Sequence, residues 1–517
     1  MNTAVDLQQK SPEELKKIIL QMQSAFEKEL ALKDQEIEKL RHQLNNALRQ
    51  RYGRKSEKNP NQLSFFDEIK TPDNIEEIEE AEEEITVSSH KRKKAGRKGL
   101  SKDLPRVQCI HDISDEEKIC SCGHQMDKIG EEISEQLDII PAKIQVIQHV
   151  KLKYACKPCQ GNVKQAKAPK QPIPQSVASP GLLAHIAVSK FCDHLPLYRQ
   201  ESILQRMGVE IARNTLSLWM IRIAELFRPL YKLLHDNLVT YDIAYADETR
   251  TQVLKEDGRP AEAQSYMWCF IGGPPDKRSI IYHYNPSRAH TVILNMLDGF
   301  SGALHCDGYG GYDTYARVAD NILLIACWMH CRRKFYEVAK SSQKKGLADK
   351  AVKKIAKLYR IEKEMKEQHL TADDVYQYRQ AHAKPLLEEF KSWLDENSKK
   401  APPQSPLGQA FTYALNQRDK LIRYVDDGRL EMDNGLSERQ IKPFVIGRKN
   451  WLFYNSVAGV KAAEVIYSII ESAKANNLEP YTYLRNLLTH LPNITTEKEL
   501  EALLPYNITS NKLHIAS

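Results

Sequence analysis

The 517-residue sequence contains no run of about 18 apolar residues, which excludes an expected membrane-spanning helix. Its first residues, MNTAVDLQQKSPEELKK, lack the apolar stretch of a secretion signal. Cysteine is scarce, with 10 residues in 517. Without a secretion signal, that scarcity argues against a disulfide framework and predicts reduced thiols in the cytoplasm. An excess of one charge is also missing: 75 Lys and Arg against 68 Asp and Glu leave +7, too little to name a partner. What remains is 41% hydrophobic residues and a mean hydropathy of −0.54. This is the balance of a globular chain with polar appendages, long enough for about three domains.

Charge is informative in its distribution. From Asp67 to Glu84 the chain carries ten acids and one lysine, and from Lys91 to Arg106 eight bases and one acid. Such blocks predict a disordered acidic-then-basic linker over 53–105. The basic run is either a solvated linker or an arm that gains affinity for phosphate by counterion release. Ahead of it, residues 1–52 predict one long helix. Leu30, Ile37 and Leu44 recur every seven residues, with Phe26, Leu40 and Ala47 near the complementary seam, as in a short coiled coil. Lys33 interrupts the seam, and a helix packed on its own protein is the alternative.

Two cysteine pairs follow, "CSCGHQM" at Cys120–Met126 and "CKPCQG" at Cys156–Gly161. Four thiolates suit tetrahedral zinc, so Cys120, Cys122, Cys156 and Cys159 predict a zinc-ribbon-like domain over 106–168 holding one structural Zn2+. The first pair has a one-residue gap, which leaves His124, Cys109 or His111 as substitute ligands. The alternating segment "ISEQLDIIPAKIQVIQHVKLKYAC" predicts strands between the knuckles. Prolines 169, 172, 174 and 180 mark a linker into a helical region over 169–238. There a helix over Tyr198–Met207, a turn at Gly208 and a helix over Ala212–Phe227 have helix-turn-helix proportions. Arg213, Asn214 and Thr215 open the second helix, where base-reading side chains would stand.

From about Val239 the period changes to two. "YDIAYADETRTQVL", "QSYMWCFIGG" and "RSIIYHYNPS" predict three successive strands. "AHTVILNMLDGF" predicts a helix, "GALHCDG" a fourth strand, and "NILLIACWMHCRRKFYEVAK" a strand running into a helix. This is the order of a ribonuclease H-like domain, expected over 239–340 and 431–490 around a helical insertion at 341–430, with a tail at 491–517. In that order the first and fourth strands are neighbours, so Asp247 and Asp307, each expected where its strand runs out, would lie side by side. The fold class expected is therefore a multidomain α+β and α/β chain. Cys327, His330 and Cys331 resemble a metal set in composition, although their spacing at a helix start is poor for one.

At this point the sequence resembles the transposases of IS66-type bacterial insertion sequences. The blocks "YGRKSEK", "HLPLYRQE", "ADET", "CDGYGGYD", "CWMHCRRKF", "ERQIKPFVIGRKNWLF" and "ESAKANNLEPYTYL" stand in family order from about residue 40 to 490. Arg250 stands where proline is common, Gly435 where a second asparagine is common, and Cys331 where a small residue is common. The resemblance implies a DDE transposase, whose three metal-binding acids map onto Asp247, Asp307 and Glu438. It implies two Mg2+ (or Mn2+) ions, terminal inverted repeats and target DNA as partners, a homo-oligomer, and two small accessory proteins of the same element. It further implies a bacterial cytoplasmic protein that joins the nucleoid when bound to DNA.

Around those acids, Arg439, Lys442, Arg448 and Lys449 lie within three turns of Glu438 and are candidates for clamping phosphates. Trp451 offers a ring for a displaced base. His330, Arg332 and Arg333 follow the fifth strand on the same edge. A surface or packing role is the alternative for each. The rival for the whole chain is a catalytically inactive transposase-derived DNA-binding protein or repressor, or else a nuclease without strand transfer.

Overall fold

The computed structural model describes residues 144–154, 164–342 and 345–508, together with Glu29, Lys33, Glu36 and Leu40, which are helical and exposed. The seam residues Leu30, Ile37 and Leu44, the charged blocks, and Cys120, Cys122, Cys156 and Cys159 lie outside the described residues. Two compact units divide the chain, 78–152 and the remainder. In the first unit the described stretch, 144–152, is exposed and forms neither helix nor strand. The alternation there predicted strands. Among the described residues of that segment only β1 (Lys153–Tyr154) is one, paired antiparallel with β2 (Lys164–Gln165) in the second unit.

The second unit is built on a six-stranded sheet. β3 (Ile243–Lys255), β4 (Gln264–Gly272) and β5 (Ser279–Asn285) form an antiparallel meander, followed by α4 (His290–Met296). Next come β6 (Gly302–Cys306), α5 (Gly310–Val318), β7 (Ile322–Ala326) and α6 (Trp328–Ser341). β6 lies parallel to β3 and β7 parallel to β6, giving the order β5-β4-β3-β6-β7. The β-branched and aromatic runs that predicted these strands are buried on both faces near the sheet centre, with Trp268, Phe270, Ile271 and Tyr282 fully covered. The helix α5 was not expected from the sequence. One expectation is corrected: Asp247 does not end its strand, because β3 runs on to Lys255 in its hairpin with β4. Only its parallel pairing to β6 stops short of Asp247.

Before the sheet, Ser179 caps α1 (Pro180–Phe191) by accepting from the Leu182 N–H at 3.2 Å. α2 (Leu197–Arg206) then turns at Gly208, whose φ of +82° suits glycine, into α3 (Arg213–Leu238). The second helix was expected to stop near Phe227, yet it continues through Pro229. Leu216, Trp219, Ile223, Phe227, Leu230 and Leu234 keep helical spacing on one buried face, which outweighs a single lost backbone hydrogen bond. That face packs on β5, where the Tyr231 hydroxyl donates to the Tyr282 carbonyl at 3.0 Å. These helices therefore share the core of the sheet.

The insertion contains α7 (Leu347–Glu367), α8 (Ala372–Tyr378), a π turn over Arg379–Ala383, α9 (Lys384–Asn397) and α10 (Pro406–Ile422). Arg379, 3% exposed, is the clasp that joins it to the returning chain. Its guanidinium makes a two-point pair with Glu362 at 2.9 and 2.7 Å and donates to the carbonyls of Tyr424, Asp427 and Leu430. The chain then enters α11 (Gly435–Trp451), β8 (Tyr454–Ser456), α12 (Val457–Ala475) and α13 (Pro480–His490). β8 pairs parallel with the far end of β3.

α12 closes the β5 edge of the sheet in place of a strand. The outward amides of Tyr284, Tyr282 and Ile280 donate to Glu464 at 2.8 Å, Ser468 at 2.8 Å and Ser472 at 2.9 Å. The spacing explains the fit. Four residues of helix rise about 6 Å and two residues of strand about 6.7 Å, so every fourth helical side chain meets every second amide.

Candidate active site

The register of the two central strands answers whether the acids meet. Tyr245 of β3 pairs with His305 of β6, and their rings stack with centroids 4.5 Å apart. Two residues beyond that last pair come Asp247, still within β3, and Asp307, just past the end of β6, and the charge of Asp307 acts on Asp247. Asp247 accepts from the Glu248 N–H at 2.9 Å, and Asp307 from the Tyr309 N–H at 2.9 Å.

Glu438 approaches from α11, in its first turn, and is 2% exposed. Asn434, the residue before that helix, holds it in place. The Asn434 side-chain amide donates to the Ala246 carbonyl at 3.0 Å, and its backbone N–H donates to Cys327 Sγ at 3.2 Å. At the other end of the helix, Arg448 donates to Thr249 at 3.2 Å. α11 is thus tied to β3 on both sides of Asp247.

These carboxyls act on one another. Burial, then the charges of Glu248, Asp307 and Glu438, hold Asp247 well above the usual carboxylate range. Burial pushes Glu438 up to about 8, with Asp433 and Asp307 adding to the rise while Arg333 and Arg439 oppose it. Oε1 of Glu438 is buried without a hydrogen-bond partner. Crowded, desolvated acids with an orphaned oxygen have the donor set that hard divalent cations require. The residues present fit such ions.

Two residues and one grouping at this site were missed by sequence reasoning. Glu248 is raised by burial and by Asp307, and is held by Arg288 and by the Tyr312 hydroxyl at 2.9 Å. Arg288 in turn lies 3.9 Å over the Tyr309 ring. Asn434 is buried at 1% exposure and carried no signal beyond its place in the turn "DNG". The third is a grouping: Cys327 and His330 gather with Glu438, whereas Cys331 is buried outside that group.

Of the candidate DNA contacts, Arg333 and Arg439 lie close enough to Glu438 to act on its charge. Arg333 also donates to Glu337 at 3.0 Å, and the Arg332 guanidinium lies 5.4 Å from the Tyr336 ring centroid. Lys449 is exposed and Lys442 half-buried on α11. Trp451 does not present an open ring. The Lys190 ammonium stands 3.8 Å over it, and its ring fills the space that a side chain at Gly447 would occupy. Arg213 and Asn214 are exposed and Thr215 half-buried at the start of α3, apart from the charges that act on Asp247 and Glu438.

Known families match the chain in series. The family described as "Transposase IS66 family" matches residues 175–462, and the "zinc-finger binding domain of transposase IS66" matches 117–160. "Transposase C of IS166 homeodomain" matches 39–108 and the "IS66 C-terminal element" 468–506. Among curated proteins the chain is similar to the uncharacterized protein y4jD of Sinorhizobium fredii (strain NBRC 101917 / NGR234). The two are 34% identical over 420 residues, 79% of this chain and 81% of that protein. It is also similar to the uncharacterized protein y4qI of the same strain, 31% identical over 479 residues, 89% of this chain and 87% of that protein. Among the described residues no helix is long and apolar enough to cross a membrane. With one family spanning its central sheet and three more matching the flanking segments, the chain belongs to the IS66 family of transposases.

Proposed function

We propose that the chain cuts DNA at the ends of its element and joins them to target DNA, using Asp247, Asp307 and Glu438 as a DDE triad on a ribonuclease H-like domain. The observation that supports this reading is the parallel pairing of β3 with β6 up to Tyr245 and His305, with the charges of Asp307 and Glu438 acting on Asp247 and α11 bonded to Ala246. The strand order, an antiparallel meander followed by two parallel strands, supports the ribonuclease H-like assignment.

The three carboxylates would hold two Mg2+ (or Mn2+) ions, which supply Lewis acidity at both the attacking and the leaving oxygen of phosphodiester cleavage. Asp247, flanked by the other two, is the residue to bridge the pair. Asp307 and Glu438 would each hold one side. Arg333 and Arg439, beside Glu438, are positioned to hold the phosphates of the strand being cut. Asn434 and Arg448 keep α11 from shifting against β3 while DNA enters. Water and then a freed 3′-hydroxyl would be directed at phosphorus by the same three acids, so no covalent protein intermediate is required.

The flanking segments extend the reading. Cys120, Cys122, Cys156 and Cys159 would hold one structural Zn2+ in the zinc-finger segment. Arg213, Asn214 and Thr215 would meet DNA from the start of α3, together with Arg332, Lys442 and Lys449. The N-terminal helix would pair copies of the chain, and small accessory proteins of the same element are further partners. Trp451 enters this reading as a packing residue beneath Lys190.

The test is substitution at constant volume. Asp247→Asn, Asp307→Asn and Glu438→Gln should each abolish magnesium-dependent cleavage of inverted-repeat DNA while leaving its binding intact. Substantial cleavage by any one of the three would remove that residue from the triad.

A further inference from the structure

Beside the triad lies a second donor set of different chemistry. Cys327 caps α6, His330 follows within its first turn, and Glu438 faces both from α11. Sγ of Cys327, a ring nitrogen of His330 and a carboxylate oxygen of Glu438 all lie within 4.8 Å of one another. Nδ1 of His330 and Oε1 of Glu438 are 3.4 Å apart, yet both are buried and neither has a hydrogen-bond partner. A carboxylate oxygen and an imidazole nitrogen left unsatisfied in the interior are costly unless a shared proton or a cation lies between them.

We propose that Cys327, His330 and Glu438 form a binding site for a soft divalent cation of the zinc class, and that its occupation switches the transposase off by withdrawing Glu438 from the magnesium pair. The switch rests on the reading of Glu438 as a magnesium ligand; the site itself does not.

The ligand types decide the metal. Magnesium takes hard oxygen ligands and has little affinity for sulfur, whereas zinc accepts thiolate, imidazole and carboxylate together. Zinc bonds of about 2.3 Å to sulfur and 2.0–2.2 Å to nitrogen and oxygen set tetrahedral ligand atoms about 3.3–3.7 Å apart. The His330–Glu438 pair already has that separation. The thiol, within 4.8 Å of both, has at most about 1.5 Å to close to reach that spacing. The Asn434 N–H that donates to Cys327 Sγ at 3.2 Å would steady the thiolate once formed. Burial keeps the free thiol protonated, so uptake of the metal releases its proton to solvent. Three protein ligands leave a fourth position open.

The experiment uses the full chain, saturated with Zn2+ or Co2+ and freed of excess metal, with bound metal counted by elemental analysis. Wild type should retain one equivalent more than Cys327→Ser, and the zinc-finger cysteines contribute equally to both. His330→Gln and Glu438→Gln should show the same deficit, which covers the case in which Cys327→Ser fails to fold. In magnesium-supported cleavage, Zn2+ should inhibit wild type at a concentration at least 10-fold below that needed for Cys327→Ser. Equal metal counts in all four proteins overturn the site, and equal zinc sensitivity overturns the switch. Undiminished cleavage by Glu438→Gln would instead overturn the triad, while the metal counts would still decide the site.

Discussion

The side-chain amide of Asn434 donates to the main-chain carbonyl of Ala246 at 3.0 Å, joining the start of the Glu438 helix to the strand residue that precedes Asp247. The first acid and the third, 191 positions apart in sequence, are thereby linked by a hydrogen bond between nearby residues, with the Arg448–Thr249 bond as a second tie. Asn434→Ala leaves that buried carbonyl unpaired, at a cost of about 1–3 kcal/mol. Cleavage should slow at saturating DNA with little change in DNA affinity, because the lost contact positions Glu438 and touches no substrate. Single-turnover cleavage and a binding titration, run alongside thermal unfolding, separate the two quantities. A variant that loses affinity and rate equally would give Asn434 a different role.

Arg379 is the second point of leverage. Removing one partner of its buried pair with Glu362, while orphaning three carbonyls, should cost about 3–5 kcal/mol in Arg379→Met. Arg379→Lys keeps the charge but not the fork, and should recover only part of that loss. Denaturant unfolding of the three proteins provides the comparison. Equal midpoints would mean that the insertion is held to the returning chain by other contacts.

Glu464 predicts a pH dependence. Burial pushes its carboxyl up to about 7, against the Tyr284 N–H bond and the charges of Arg228 and Lys461. His283, 3.8 Å away, is lowered to about 4 by burial and is neutral over that range, so the opposing charge comes from Arg228, 3.9 Å away, and from Lys461, and burial outweighs them. Because the folded value exceeds the ordinary 4.5, the folded state holds the proton more tightly. Its contribution is full below pH 4.5 and is lost as pH rises through 7, about 3 kcal/mol in all. Glu464→Gln keeps an oxygen for the Tyr284 amide and should remove this part of the slope. Unfolding free energies of both proteins from pH 4.5 to 8 check it, and parallel curves would refute it.

Ser468→Ala should leave the Tyr282 amide without its acceptor and destabilise by about 1–3 kcal/mol. Hydrogen exchange at that amide should quicken more than at its neighbours on β5. Exchange unchanged at Tyr282 would mean that the amide has found another acceptor.

The strands were legible because alternating β-branched and aromatic runs have one good solution, and the adjacency of β3 and β6 followed from strand order alone. Glu438 was not legible in that way. It stands 131 residues beyond Asp307 in a helix whose local pattern resembles its neighbours, and only family resemblance distinguished it from Glu431 and Asp433. Asn434, Arg379 and Glu464 gave no signal, since each matters through partners 17 to 188 residues away. The grouping of Cys327 and His330 was half visible. Composition suggested Cys331 as the third member despite its poor spacing, but the fold supplies Glu438 from another helix. The extension of α3 past Phe227 was missed because helix-turn-helix proportions set its end, when a buried face continued beyond it.

The row of Glu464, Ser468 and Ser472 along α12 bears on how copies of this chain can assemble. A sheet that ends in free amides invites a neighbour to add a strand, but at β5 those groups are already committed to a helix of the same molecule. On the opposite side, Arg423 occupies the Leu324 carbonyl of β7. A second copy therefore cannot continue this sheet across the β5 edge, because an added strand would find those amides already bonded to the chain's own helix.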